Sequence, residues 1–159
     1  MKNDTQNTAS VLFRPSLLLA AAGVISALLT PVATSARQTP EYTGIVIDVR
    51  HLTEIDRSPA PVIYGPAPKQ ETLYPDPAHV PTPDEVQDNS VVRYYHTPEQ
   101  AEKGVAGEHP LIVRAEAVVG PAHDSVRVTA EDAEILKNAD KTLRYSRNWK
   151  VAFLIPEGH

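Results

Sequence analysis

The sequence predicts an α/β fold: a single-domain sandwich with a mixed β-sheet, two helices and a proline-rich edge hairpin or arm. Three observations predict it. Apolar β-branched runs recur at 45–49, 111–119, 126–128 and 149–155. Two Thr-led, acid-rich stretches with helical spacing separate them, at 97–103 and 129–140. Eight prolines fall between Ser58 and Pro83. Strands alternating with helical segments call for a layered α/β domain.

Taken in order, the chain opens with Lys2 and Arg14, an apolar run from Leu17 to Leu29, then Pro31 and the small residues Thr34-Ser35-Ala36. This is the layout of a secretory signal peptide, so residues 1–36 are expected to be removed after Ala36. The competing reading, a retained anchor, needs about 20 predominantly apolar residues, and the unbroken run is shorter. Residues 37–43 read as a flexible leader. The chain has no cysteine, which excludes disulfides and a lipidated N-terminal Cys. The expected location is therefore the periplasm, or the medium after secretion, with membrane contact only through an uncleaved signal segment. From Arg37 onward there are 13 Lys and Arg against 19 Asp and Glu, a net of −6. An acidic surface argues against nucleic acid as a partner.

The domain proper is expected to span 44–159. Ile45, Ile47 and Val49 form one face of a first strand, with Asp48 and Arg50 on the other. The insertion at 58–83 cannot be a helix interior or a central strand, because proline donates nothing to a ladder. Its two short extended pieces, Val62-Ile63-Tyr64 and Thr72-Leu73-Tyr74, are expected to pair as an edge hairpin on a protruding arm. "PDPAHVPTPDE" should follow as a polyproline-like connection. "VVRYYH" gives a strand. Thr97, Pro98 and Gln100 mark a short helix that Gly104 and Gly107 stop. "PLIVRAEAVVG" alternates as one half-wet strand. Val126 and Val128 point inward, and Thr129 opens the main helix through Ala133, Leu136 and Ala139 or Asp140. "WKVAFLIP" is apolar on both faces and belongs in the middle of a sheet.

The run "YTGIVIDVR" (42–50), "PVIY" (61–64), "PLIVRAEAV" (110–118), "VRVTAEDAEIL" (126–136) and "KVAFLI" (150–155) resembles a conserved periplasmic domain. That domain occurs in flagellar-assembly-type lipoproteins and related uncharacterised bacterial envelope proteins. The resemblance implies an envelope role, with flagellar assembly as its particular form, and it brings no catalytic signature. This chain is expected to depart from the family pattern in three ways: no second domain, no lipidated Cys, and a proline-rich insert where an acidic glycine turn is usual.

Asp48, Arg50 and His51 are the first candidates for chemistry. Two positions apart on a strand, Asp48 and Arg50 share a face, so an ion-pair ladder with each other or with Arg114 and Glu116 is the favoured reading. His51, His79, His96, His109, His123 and His159 follow no zinc spacing, so neither a metal nor any other cofactor is expected. Asp76 with His79, and His123 with Asp124, are local carboxylate–imidazole neighbours. Ser58, Ser90, Ser125 and Ser146 lack a nucleophile elbow. Tyr94, Tyr95 and Tyr145 read as packed rather than as a binding surface. The expectation is a non-enzymatic interaction or assembly module of the cell envelope that binds an envelope protein. Its contacts would come through Val62, Ile63, Tyr64, Leu73 and Tyr74 of the arm, with Asp48 and Arg50 beside them. The alternative is a small periplasmic hydrolase that uses Asp48 and a histidine.

Overall fold

A computed structural model describes residues 41–89 and 91–158. The expected signal peptide and the first residues of the expected leader lie outside the described residues. In chain order the elements are β1 (Ile45–Asp48), β2 (Ile63–Tyr64), β3 (Thr72–Tyr74), α1 (Pro83–Asn89), β4 (Arg93–Tyr95) and α2 (Pro98–Lys103). Then follow β5 (Leu111–Arg114), β6 (Ala117–Val119), β7 (Ser125–Arg127), α3 (Ala130–Leu143), α4 (Tyr145–Asn148) and β8 (Val151–Leu154).

The fold is α/β, built on two four-stranded sheets rather than one. The first has the order β4-β8-β1-β5 and is parallel throughout. The second has the order β3-β2-β7-β6 and is mixed: β2 runs parallel to β7, while β3 and β6 are antiparallel to their neighbours. The reason for two sheets lies at Ala115–Glu116. Ala115 N–H donates to the Asp48 carbonyl of the first sheet at 3.1 Å, and Glu116 N–H to the Arg127 carbonyl of the second at 2.7 Å. The alternating run 110–120 thus crosses from one sheet to the other and counts as two strands.

β8 lies between β4 and β1, where its two apolar faces require it to be. On one side Val151, Phe153 and Ile155 join Ile45, Ile47, Val49, Val113, Ile63, Val126, Val128, Ala133 and Leu136 in the main core. On the other, Ala152 and Leu154 pack with Val46 against Ala101 and Ala106, the second, smaller core under α2. Each fully buried Val, Ile, Leu or Phe here contributes roughly 1.5–3 kcal/mol, so the two-sided burial of β8 anchors the domain.

Among the described residues, four helices form where two were expected. The two expected ones start as read. Thr97 Oγ1 accepts from Gln100 N–H, and Thr129 Oγ1 from Asp132 N–H at 3.1 Å. α1 takes up the last three residues, 83–85, of the expected polyproline connection and runs on to Asn89. Thr82 and Glu85 cap it reciprocally, with Thr82 N–H donating to Glu85 Oε2 at 2.9 Å and Glu85 N–H to Thr82 Oγ1 at 3.3 Å. Pro83 occupies the first helical position, where its missing N–H costs nothing. α4 is one turn, tied by Asp140, whose carboxylate accepts from Ser146 N–H at 3.0 Å and Ser146 Oγ at 2.8 Å.

The hairpin also departs from expectation. β2 and β3 pair as anticipated, but they do not protrude: β2 is an inner strand of the second sheet, flanked by β3 and β7. The prolines permit this because they stand outside the paired residues, at 61, 66, 68 and 75. A strand of two residues between prolines keeps both its N–H groups.

Candidate functional site

β1 ends in the first sheet at Asp48, level with Arg114 of β5 and Leu154 of β8. The pleat that buries Ile45, Ile47 and Val49 turns Asp48 to the opposite face. A turn follows, closed by Leu52 N–H to the Val49 carbonyl at 2.9 Å, and it brings Arg50 back over the strand end. Arg50 donates from Nε to Asp48 Oδ1 at 2.9 Å and from Nη2 to Oδ2 at 2.8 Å; its backbone N–H adds a third bond to Oδ1 at 3.1 Å. Both carboxylate oxygens are therefore occupied.

Asp48, Arg50, His51 and Arg114 line an open depression of about 370 Å³ at the carboxyl end of the parallel sheet, the end at which open α/β sheets bind ligands. The Arg50 side-chain bonds hold the Asp48 carboxyl below its ordinary range against the opposing effect of burial, and His51 adds a smaller pull in the same direction. The same bonds raise Arg50, with Glu99 of α2 contributing. A carboxylate stabilised as its anion, with both oxygens engaged, is a poor proton acceptor at neutral pH.

The other candidates are dispersed. His51, His79, His109 and His123 are exposed, while His96 is partly buried with Nδ1 3.1 Å from the Pro156 carbonyl oxygen. His159 lies outside the described residues. Asp76 does not meet His79 as a carboxylate–imidazole pair: it binds Arg147 Nε at 2.6 Å and Ala78 N–H at 2.8 Å. His79 instead stacks on Trp149, with centroids 5.7 Å apart, and brings Nε2 to 3.6 Å from Glu85. Ser146 is buried against Asp140, and among the described residues no imidazole is bonded to either. Among the described residues, no three His, Asp or Glu side chains converge as a metal site would need.

The arm's expected contact residues divide. Ile63, Leu73 and Tyr74 belong to the main core, and the Tyr74 hydroxyl donates to the Val91 carbonyl. They are withdrawn from any partner of the folded domain, and this corrects the expectation that the hairpin's apolar side chains form a contact surface. Burial is what their hydrophobicity serves: Tyr74 stacks with Tyr145 and meets Trp149 edge-on. Val62 and Tyr64 are half-buried. The turn residues Ala67–Gln70 are exposed, and Val80, just beyond the hairpin, is 72% exposed.

Sequence reasoning assigned no role to Thr43 and Gly44. Thr43 Oγ1 donates to the Ala106 carbonyl at 2.8 Å and accepts from His109 N–H at 3.0 Å, while Thr43 N–H donates to the His109 carbonyl. Gly44 lies so close to Ala106 that a Cβ would stand 2.6 Å from its carbonyl oxygen. Thr43 and Gly44 thus form a latch that holds the 104–109 loop against β1.

This is a two-sheet α/β domain of bacterial type, and its prominent polar feature is an arginine-clasped aspartate at the end of a central strand. A family model described as Treponema pallidum Tp0624, second domain, matches residues 44–157, and the chain belongs to that family. The matched stretch runs from the Gly44 latch through β8. No curated protein matches the chain.

Proposed function

We propose that this chain is an exported, non-enzymatic interaction or assembly module of the bacterial cell envelope, acting in the periplasm after loss of residues 1–36. The observation that carries the reading is the Asp48–Arg50 clasp. The carboxylate that a hydrolase would use as base is committed on both oxygens to Arg50, and among the described residues no histidine is hydrogen-bonded to it. Ser146, the buried serine beside a carboxylate, has no imidazole either. The polar groups spend their bonds on holding strand ends and helix ends.

The partner is an envelope protein. The parts of the hairpin that can meet it are the exposed turn at 67–70, the half-buried Val62 and Tyr64, and Val80 beyond. Asp48 and Arg50 act as a structural pair with each other. Flagellar assembly is the specific role that the resemblance of "YTGIVIDVR" and the segments after it implies. Crosslinking in intact cells followed by affinity capture tests the whole reading. Recovery of a defined envelope protein, reduced by substitutions at Lys69 and Val80, is the expected result. Hydrolysis of a model ester or peptide that Asp48→Asn abolishes would overturn the reading in favour of a hydrolase.

A further inference from the structure

The first sheet ends at β5. Leu111 N–H donates to the Gly44 carbonyl at 2.9 Å and Ala115 N–H to Asp48 at 3.1 Å, so the odd-numbered residues of β5 face β1. Pleat alternation therefore turns the backbone groups of Pro110, Ile112 and Arg114 to the side where, among the described residues, the sheet has no further strand. Ile112, level with Val46 on the α2 side of the sheet, is 49% exposed, whereas its neighbours Leu111 and Val113 are buried. Among the described residues, no other edge strand carries so exposed a large apolar side chain. Such an edge is a template for strand addition.

Charge selects the occupant. At the start of β5, Glu41, Glu102 and Glu108 surround Ile112 in a depression of about 440 Å³. At its end stand Arg114, which has no hydrogen-bond or ion-pair partner among the described residues, and beyond it Arg50 and His51. An edge that is acidic at one end and basic at the other is complementary to itself when turned around. We propose that two copies of this chain associate about a two-fold axis by antiparallel pairing of β5 with β5, with Ile112 opposite Ile112. In that register the two Ile112 residues exchange backbone hydrogen bonds, and each Arg114 N–H reaches the Pro110 carbonyl of the other copy. Each Arg114 side chain then lies diagonally across from Glu108, a separation that long side chains span. Pro110 has no N–H and so limits the pairing to this short stretch. The result is one eight-stranded sheet through two domains, an isologous interface. The pairing is independent of the envelope partner proposed above.

The chain has no cysteine, so an introduced thiol reports one contact. Ile112→Cys in the full-length chain, treated in cells with a short bismaleimide, is expected to give a covalent dimer. Ile135→Cys, at the exposed position on α3, is expected to give none. Arg114→Glu should lower the yield roughly tenfold by turning two attractions into two repulsions, and adding Glu108→Arg to that chain should restore it. Equal crosslinking at positions 112 and 135, or a yield indifferent to Arg114→Glu, would overturn the proposal. So would light scattering that finds the unsubstituted chain monomeric at every concentration.

Discussion

Arg50 clasps Asp48 through two side-chain bonds of 2.9 and 2.8 Å and a backbone bond of 3.1 Å, across only two positions of sequence. The side chains keep 42% and 21% of their exposure, so water screens the pair. Asp48→Asn is expected to cost about 0–1 kcal/mol at neutral pH. The folded carboxyl sits below its usual 3.8, so its contribution is present above that value and is lost as pH falls through the depressed one. Denaturation midpoints of wild type and variant should therefore converge below about pH 4. A gap that is unchanged in acid would contradict the clasp's electrostatic origin.

Gly44→Ala should act in the opposite way, with a large effect at every pH. The added methyl would meet the Ala106 carbonyl oxygen at 2.6 Å and its Cα at 2.8 Å. Both are backbone atoms, which cannot rotate aside. Overpacking of this kind costs typically about 1–3 kcal/mol, and a lowered melting temperature in thermal denaturation is the expected readout. An unchanged melting temperature would mean that the 104–109 loop is not held against β1.

Within the hairpin the effects should split by burial. Leu73→Ala and Tyr74→Ala remove core side chains and are expected to cost about 2–5 kcal/mol. Lys69→Ala, in the exposed turn, should stay within about 0.5 kcal/mol of wild type. Urea titration distinguishes them. Equal, small losses at all three positions would return the hairpin to the status of a protruding arm.

Much of the fold was legible because it rests on period and caps. The buried alternation of β5, the inward Val126 and Val128, the Thr129 cap and the two-sided β8 all follow from local pattern. The hairpin's pairing was legible too, but its position was not. Proline content was averaged over 26 residues, while the rule against proline acts on the individual N–H groups that bond, and the prolines stop just short of β2 and β3. α1 was legible and missed. "TPDE" at 82–85 carries the same cap, proline and acidic third residue as "TPEQ" at 97–100, and surrounding prolines masked it. The split of run 110–120 between two sheets had no local signal, because alternation is the same on either side of Ala115. At the site, the Asp48–Arg50 pair could be read from spacing. The free edge beside Arg114 could not, since edges are a property of strand order.

Two buried phenols make alkaline pH the most diagnostic perturbation of the core. Tyr74 and Tyr145 stack in the main cluster, and burial pushes both hydroxyls well above the ordinary phenol range, with smaller contributions from nearby charge. Burial raises Tyr94 as well. For a group whose folded value is raised, the stabilisation is complete below the unfolded value, about 10 for tyrosine, and is lost as pH rises through the folded one. Stability should therefore hold to about pH 10 and then fall. In a tyrosinate absorbance titration of the native chain, the six tyrosines should not all ionise together. A late fraction should appear only with unfolding, and in denaturant all should titrate near 10. Tyr74→Phe should diminish the late fraction and, by orphaning the Val91 carbonyl, cost about 1–3 kcal/mol at neutral pH. A native titration complete at ordinary phenol pH, with no unfolding, would place both rings in water and refute the packing of Tyr74 on Tyr145.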